Sequence, residues 1–152
     1  MAISLYQISV PIFIRHLKGL SIVTAKAQEL YAKNKWDEAT LLTYRFFPDM
    51  HEFARQIRAA TNHANTCTAA LAGVEPPRFA DDEKSLAELL SRIAKTNAFL
   101  ESIKPEQLNG MEDKQVTLKM RTGDLKYKGL DLLQNRSMPN FYFHCTTAYD
   151  IL

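Results

Sequence analysis

The sequence predicts an all-α protein, an antiparallel four-helix bundle with a small β-hairpin before the last helix and a short helical lid. Three features point there. Long segments carry apolar residues at spacings of three and four, the period of an amphipathic helix. Prolines and glycines punctuate those segments at their ends. One short segment alternates instead with period two, the mark of paired strands. At 152 residues, a single domain spanning 1–152 is expected, large enough to bury roughly two thirds of the surface of its unfolded chain.

The first helix is expected from Pro11 to Lys33, on the stripe Ile12, Phe13, Leu17, Leu20, Val23, Ala27, Leu30 and Tyr31. Pro11 suits its first turn, where a missing N–H costs nothing. Residues 34–48 are too aromatic for a free linker. Asp37 can cap a short turn there, with Leu41, Leu42 and Tyr44 facing inward as a lid over one end of the bundle. Asp49 is placed to cap a second long helix from Met50 to Ala72, and Gly73 is its natural stop. The paired prolines in Val74–Phe79 stiffen an extended connector. Asp81, Asp82 and Glu83 then charge the start of a third helix carrying Leu86, Leu89, Leu90, Ile93 and Leu100, with Pro105 closing it. Val116–Met120 and Asp124–Lys128 alternate around Arg121-Thr122-Gly123, a hairpin with glycine in its turn. Gly129 to Leu152 gives the last helix, interrupted or restarted at Pro139.

Composition narrows the function classes. With 46% hydrophobic and 24% charged residues the chain should fold rather than stay disordered. A net charge of +2, with lysines and arginines scattered among acids, does not make the basic stripe of a nucleic-acid binder. No apolar run approaches the ~20 residues of a membrane helix. The first residues lack a secretory leader's basic start and apolar run, so a cytoplasmic location is expected. Cys67 and Cys145, without CxxC spacing, read as buried thiols of a reducing compartment.

The chemistry-bearing residues are few. Asn140 and His144 are four apart and share one face of a helix. His63 lies beside the apolar stripe of the second helix and should point into the bundle centre, where the three could converge. Sites in bundle cores are built this way, and imidazole suits zinc, nickel, copper or iron, although an amide oxygen is a poor ligand for them. A core histidine bonded to a backbone or side-chain acceptor is the other reading of His63. His51 and His16 read as surface or boundary residues.

The strings Ser4-Leu5-Tyr6, Val10-Pro11-Ile12-Phe13, Phe47-Pro48-Asp49-Met50, Asn62-His63-Ala64, Ala72-Gly73-Val74-Glu75 and Pro139 to Tyr149 resemble a bacterial branch, of unknown function, of the DinB/YfiT-like superfamily of four-helix bundles. The resemblance covers essentially the whole chain. It implies a divalent metal, zinc or nickel, held by His63, His144 and the residue in place of the first histidine of an HxxxH pair, here Asn140. It also implies a hydrolase or thiol-dependent transferase with an incomplete site, a small molecule or low-molecular-weight thiol as partner, and a homodimer. Relatives tend to continue past the position of Leu152, and a tail there would cover part of the site. The alternative that stays open is a non-catalytic bundle that binds a small ligand, or a structural one whose histidines are structural.

Overall fold

The computed structural model describes residues 3–118 and 123–152. Four long helices form the bundle: α1 (Val10–Asn34), α3 (Phe53–Ala72), α4 (Leu86–Ser102) and α7 (Met138–Ile151). Helix α1 packs on α4 and α7, and α3 packs on the same two from the opposite side. Short helices α2 (Glu38–Leu42), α5 (Pro105–Leu108) and α6 (Gly129–Asp131) fill the connections. Burial of apolar side chains from all four drives the association, although the expected stripe of α1 is buried only through Leu20, and Leu30 near its end stays 49% exposed. Phe13, Phe53 and Phe141 are fully buried, and the rings of Phe13 and Phe141 meet edge-to-face at 4.7 Å. No helix among the described residues is long and apolar enough to cross a membrane.

The helix ends depart from expectation in instructive ways. Asp49 does not cap α3. That helix begins at Phe53, whose N–H donates to the Tyr44 carbonyl at 2.9 Å, so the lid supplies the acceptor that a side chain was expected to give. Leu41 and Leu42 are buried as expected, but Tyr44 is 49% exposed and leans edge-on against Phe46. Helix α4 starts later than the acidic run. Ser85 caps it by accepting from the Glu88 N–H, while Glu88 reaches back to the Lys84 N–H, and Glu38 of the lid accepts from the Leu86 N–H at 2.9 Å. Asp81 and Glu83 are thereby free for another role. Pro105 does not close α4, which ends at Ser102; it opens α5, at a position where proline's lack of an N–H is harmless. Gly73 does end α3, in the left-handed conformation with φ 69°.

Strands β1 (Gln115–Leu118) and β2 (Leu125–Lys128) pair antiparallel, Gln115 opposite Lys128 and Leu118 opposite Leu125. Val116 and Leu118 turn inward, and β1 rests on α3, the support a lone hairpin needs. Lys119 to Thr122, which include Arg121 and Thr122 of the expected turn, lie outside the described residues.

After the hairpin the chain passes Gly129 and enters a π-helical turn, Leu132–Ser137, which gives way to α7. Pro139 sits in the first turn of α7, so the expected interruption is a change of winding and not a break. Gly129 is buried, and a Cβ there would stand 2.2 Å from the Met111 carbonyl oxygen and 3.0 Å from Leu71. Backbone cannot yield as a flexible side chain can. Gly129→Ala is therefore expected to destabilise the fold by roughly 1–3 kcal/mol, read as a lower urea midpoint with unchanged slope; an unaltered midpoint would show that this approach is soft.

Candidate functional site

A cleft of about 1040 Å³ is walled by α3, the connector through Arg78 and Phe79, Leu118 of the hairpin, Arg136 of the π turn and His144 of α7. A smaller groove of about 360 Å³ lies between α1 and α7, around Leu20, Val23 and Tyr149. The groove's histidine, His16, is exposed and bonded to its own helix at the Ile12 carbonyl, 2.9 Å away. The larger cleft gathers the polar side chains.

His63 and His144 do come together there, with ring centroids 5.7 Å apart and planes 17° from parallel. His51, just before α3, also stacks on His144, with ring centroids 6.4 Å apart and the same 17° tilt. Exposed though it is, as expected, His51 makes the third member of a stack of imidazoles and lines the cleft. Asn140 does not join them. It is exposed in the first turn of α7, and its amide donates to the Arg136 carbonyl at 2.6 Å, back along its own helix across the π–α junction. Helical spacing placed Asn140 and His144 on one face, but the junction carbonyl engages the amide first.

The sequence reading passed over the residue that orients the site. Gln56 is 1% exposed and its Nε2 donates to the His51 carbonyl at 2.9 Å. That bond fixes which way the amide points, so Oε1 faces Nδ1 of His144 at 2.7 Å. A carbonyl oxygen can only accept, so Nδ1 carries the proton and Nε2 keeps its lone pair. Burial, then the neighbouring His51, lowers the His144 pKa. Burial, then His144 and Arg136, pushes the His63 pKa down to about 4. Both rings are neutral at pH 7. Gln56 precedes His63 by seven residues, two helical turns on the same face, and that spacing was the signal for it.

A second network holds the connector wall. Arg92, 1% exposed on α4, donates to Glu83, Asp81 and Asn62, each at 2.7 Å, and to the Thr61 hydroxyl at 2.7 Å. Its guanidinium lies 4.2 Å from the Phe79 ring centroid. Arg58 adds a 2.7 Å bond to the other Glu83 oxygen. Burial alone would raise the Glu83 pKa, but hydrogen bonds from Arg92, its own backbone and Arg58 outweigh it and hold it below the usual value. Because Arg92 can only donate, Asn62 must offer it Oδ1, which keeps the amide N–H₂ of this cleft-lining residue as a donor.

The cysteines are buried, as expected, and each thiol is pushed up to about 12 by burial, for Cys67 against a weaker opposing bond from Ser137. At such a pKa neither thiol ionises near neutral pH. As for a metal, His63 and His144 supply two imidazoles while Asn140 is engaged elsewhere. Among the described residues no group of three or more His, Cys, Asp or Glu side chains is arranged to hold an ion. The residues in view do not complete the three-ligand set that the resemblance implies.

The architecture defines a helical bundle with a polar cleft between its second and fourth long helices. Residues 5–152 match the family model described as a domain of unknown function, DUF1993, and the chain belongs to that family. It is also similar to the crystal structure of a DinB family member protein from Shewanella denitrificans, with 30% identity and a TM-score of 0.86 over 97% of this chain and 84% of that one. The fold is thus DinB-like, as the sequence resemblance implied. No curated protein matches the chain.

Proposed function

We propose that the protein binds a small molecule in this cleft, with the neutral imidazoles of His63 and His144 as hydrogen-bonding partners at its floor. The observation that carries the reading is the relay from the His51 carbonyl through Gln56 to His144, which commits a buried ring to one tautomer and leaves Nε2 as an acceptor on the cleft. Binding is favoured over catalysis by what surrounds the rings. The thiols do not ionise, and among the described residues lining the cleft the carboxylate, Asp81, is paired with Arg92. A hydrolase or thiol-dependent transferase would need its nucleophile or its metal from outside this set.

The same tautomer is the one a metal-bound histidine holds, its second nitrogen donating to a carbonyl. That observation keeps zinc or nickel as the second reading, with His63 and His144 as the donors. One experiment separates the two. Chelator-treated protein is screened by thermal shift against metabolites and low-molecular-weight thiols, then rescreened with zinc or nickel added. Stabilisation that persists under chelation and is lost in His144→Ala and Gln56→Met supports metal-free binding. Shifts that appear only with metal favour the metal reading, and no shift with either sends both aside for a structural role.

A further inference from the structure

The chemistry of the ligand follows from how charge is distributed around the cleft, an inference that rests on the binding reading above. Four arginines line it, Arg55, Arg58, Arg78 and Arg136, against the single carboxylate of Asp81 among the described residues. The ion pairs along the connector wall balance among themselves, with Asp81 the exposed member. Arg58 and Arg92 face Glu83 and Asp81, two cations to two anions, at 2.7 Å. That accounting leaves Arg55, exposed on α3, and Arg78, exposed on the connector, with no carboxylate partner among the described residues although both border the same concavity. Asn62 adds N–H donors whose direction Arg92 has fixed.

Isolated surface arginines are ordinary. Here two of them flank a concavity already supplied with an oriented amide donor and two uncharged rings. A guanidinium matches the planar geometry of a carboxylate or the oxygens of a phosphate, and the match strengthens where water is partly excluded. We propose that the cleft binds a small molecule bearing an oxyanion, a carboxylate or a phosphate, gripped by Arg55 and Arg78 with help from the Asn62 amide, while its uncharged part lies against the rings of His63, His144 and Phe79. A cation would meet an unfavourable field on entry. The arginines also raise the local concentration of an anion before contact.

Titration calorimetry on the chelator-treated full chain, at constant ionic strength set with chloride, tests this with inorganic phosphate and with succinate. Saturable binding of either is expected, and the arm that binds tells which oxyanion the grip prefers. Arg55→Gln and Arg78→Gln, both at exposed positions that should leave folding intact, are each expected to weaken it about tenfold. Arg15→Gln, on the far groove, should leave it unchanged. Absence of saturation with both anions would overturn the proposal, as would an equal loss in Arg15→Gln, which would mark general charge attraction. Binding of a single-stranded oligonucleotide through Arg55 and Arg78, with no response to phosphate or succinate, would also overturn it. If uncharged metabolites bind in a His144-dependent way and the anions do not, the oxyanion assignment fails while the cleft reading stands. Anion binding lost with the arginines but indifferent to His144→Ala would keep the assignment and remove the histidines from it.

Discussion

Arg92→Ala is expected to lower the stability of the fold by about 3–5 kcal/mol, the range for removing one partner from a buried charge network. Its guanidinium holds two carboxylates, a hydroxyl and an amide while 99% covered. Deleting it strands Glu83, whose side chain is 11% exposed, with Arg58 as its remaining partner, and leaves Asn62 Oδ1 and the Thr61 hydroxyl without their donor. Arg92→Lys should recover only part of the loss, because an ammonium cannot reproduce the planar fork. The control is the exposed pair Lys18–Glu101, with side chains 61% and 53% exposed, where Lys18→Ala should cost no more than about 0.5 kcal/mol. Urea unfolding measures all three. A loss below about 1 kcal/mol for Arg92→Ala would mean that the connector relaxes and rehydrates without it.

The second large effect is on pH. His63 takes its proton near pH 6.5 in the unfolded chain but only near pH 4 when folded. Between those values unfolding takes up a proton, so acid favours the unfolded state and stability should fall as pH is lowered from about 6.5 to about 4. The difference corresponds to at most about 3 kcal/mol, reduced by solvent at the ring's exposed edge. His144, lowered in the same direction, steepens the slope. Glu83 acts in a separate window, because its depressed pKa contributes stability above the ordinary 4.5 that is lost only at still lower pH. Melting temperature followed from pH 7.5 to 4 should drop for the native chain and flatten in His63→Gln. Parallel curves for the two would show that His63 is not held neutral by the fold.

The helices were legible because burial of a stripe imposes a period that any long amphipathic segment displays. The stop of α3 was legible too, since Gly73 supplies a left-handed residue at little cost. What failed to show were interactions made across elements. No local rule says that the Tyr44 carbonyl will receive Phe53, or that Glu38 will reach the start of α4. Asp81 and Glu83 looked like helix-start charges, and only the packing of α4 against α3 reveals them as partners of Arg92.

That His63 and His144 come together could be read from the sequence because histidine is rare and the helical phases agreed. Asn140 stands apart from them because phase says which face a residue shares and not whether its side chain is already engaged nearby. Gln56 and Arg92 were passed over for the same kind of reason. Each sits among apolar neighbours as a polar residue, and a buried polar group requires a partner, but the sequence does not name that partner.

The π turn at Leu132–Ser137 has a consequence for how the halves of the molecule are kept in phase. A π turn accommodates about one residue more than an α turn. Excising a single residue from it would let the remainder wind as ordinary helix, and everything before it would swing by about 100° relative to α7. Arg136 would leave the cleft, and Gly129 would lose the close approach to Met111 that only a glycine admits. One surplus residue thus sets the angular offset between the hairpin and the histidine-bearing helix, and the two can vary independently only while that offset is preserved.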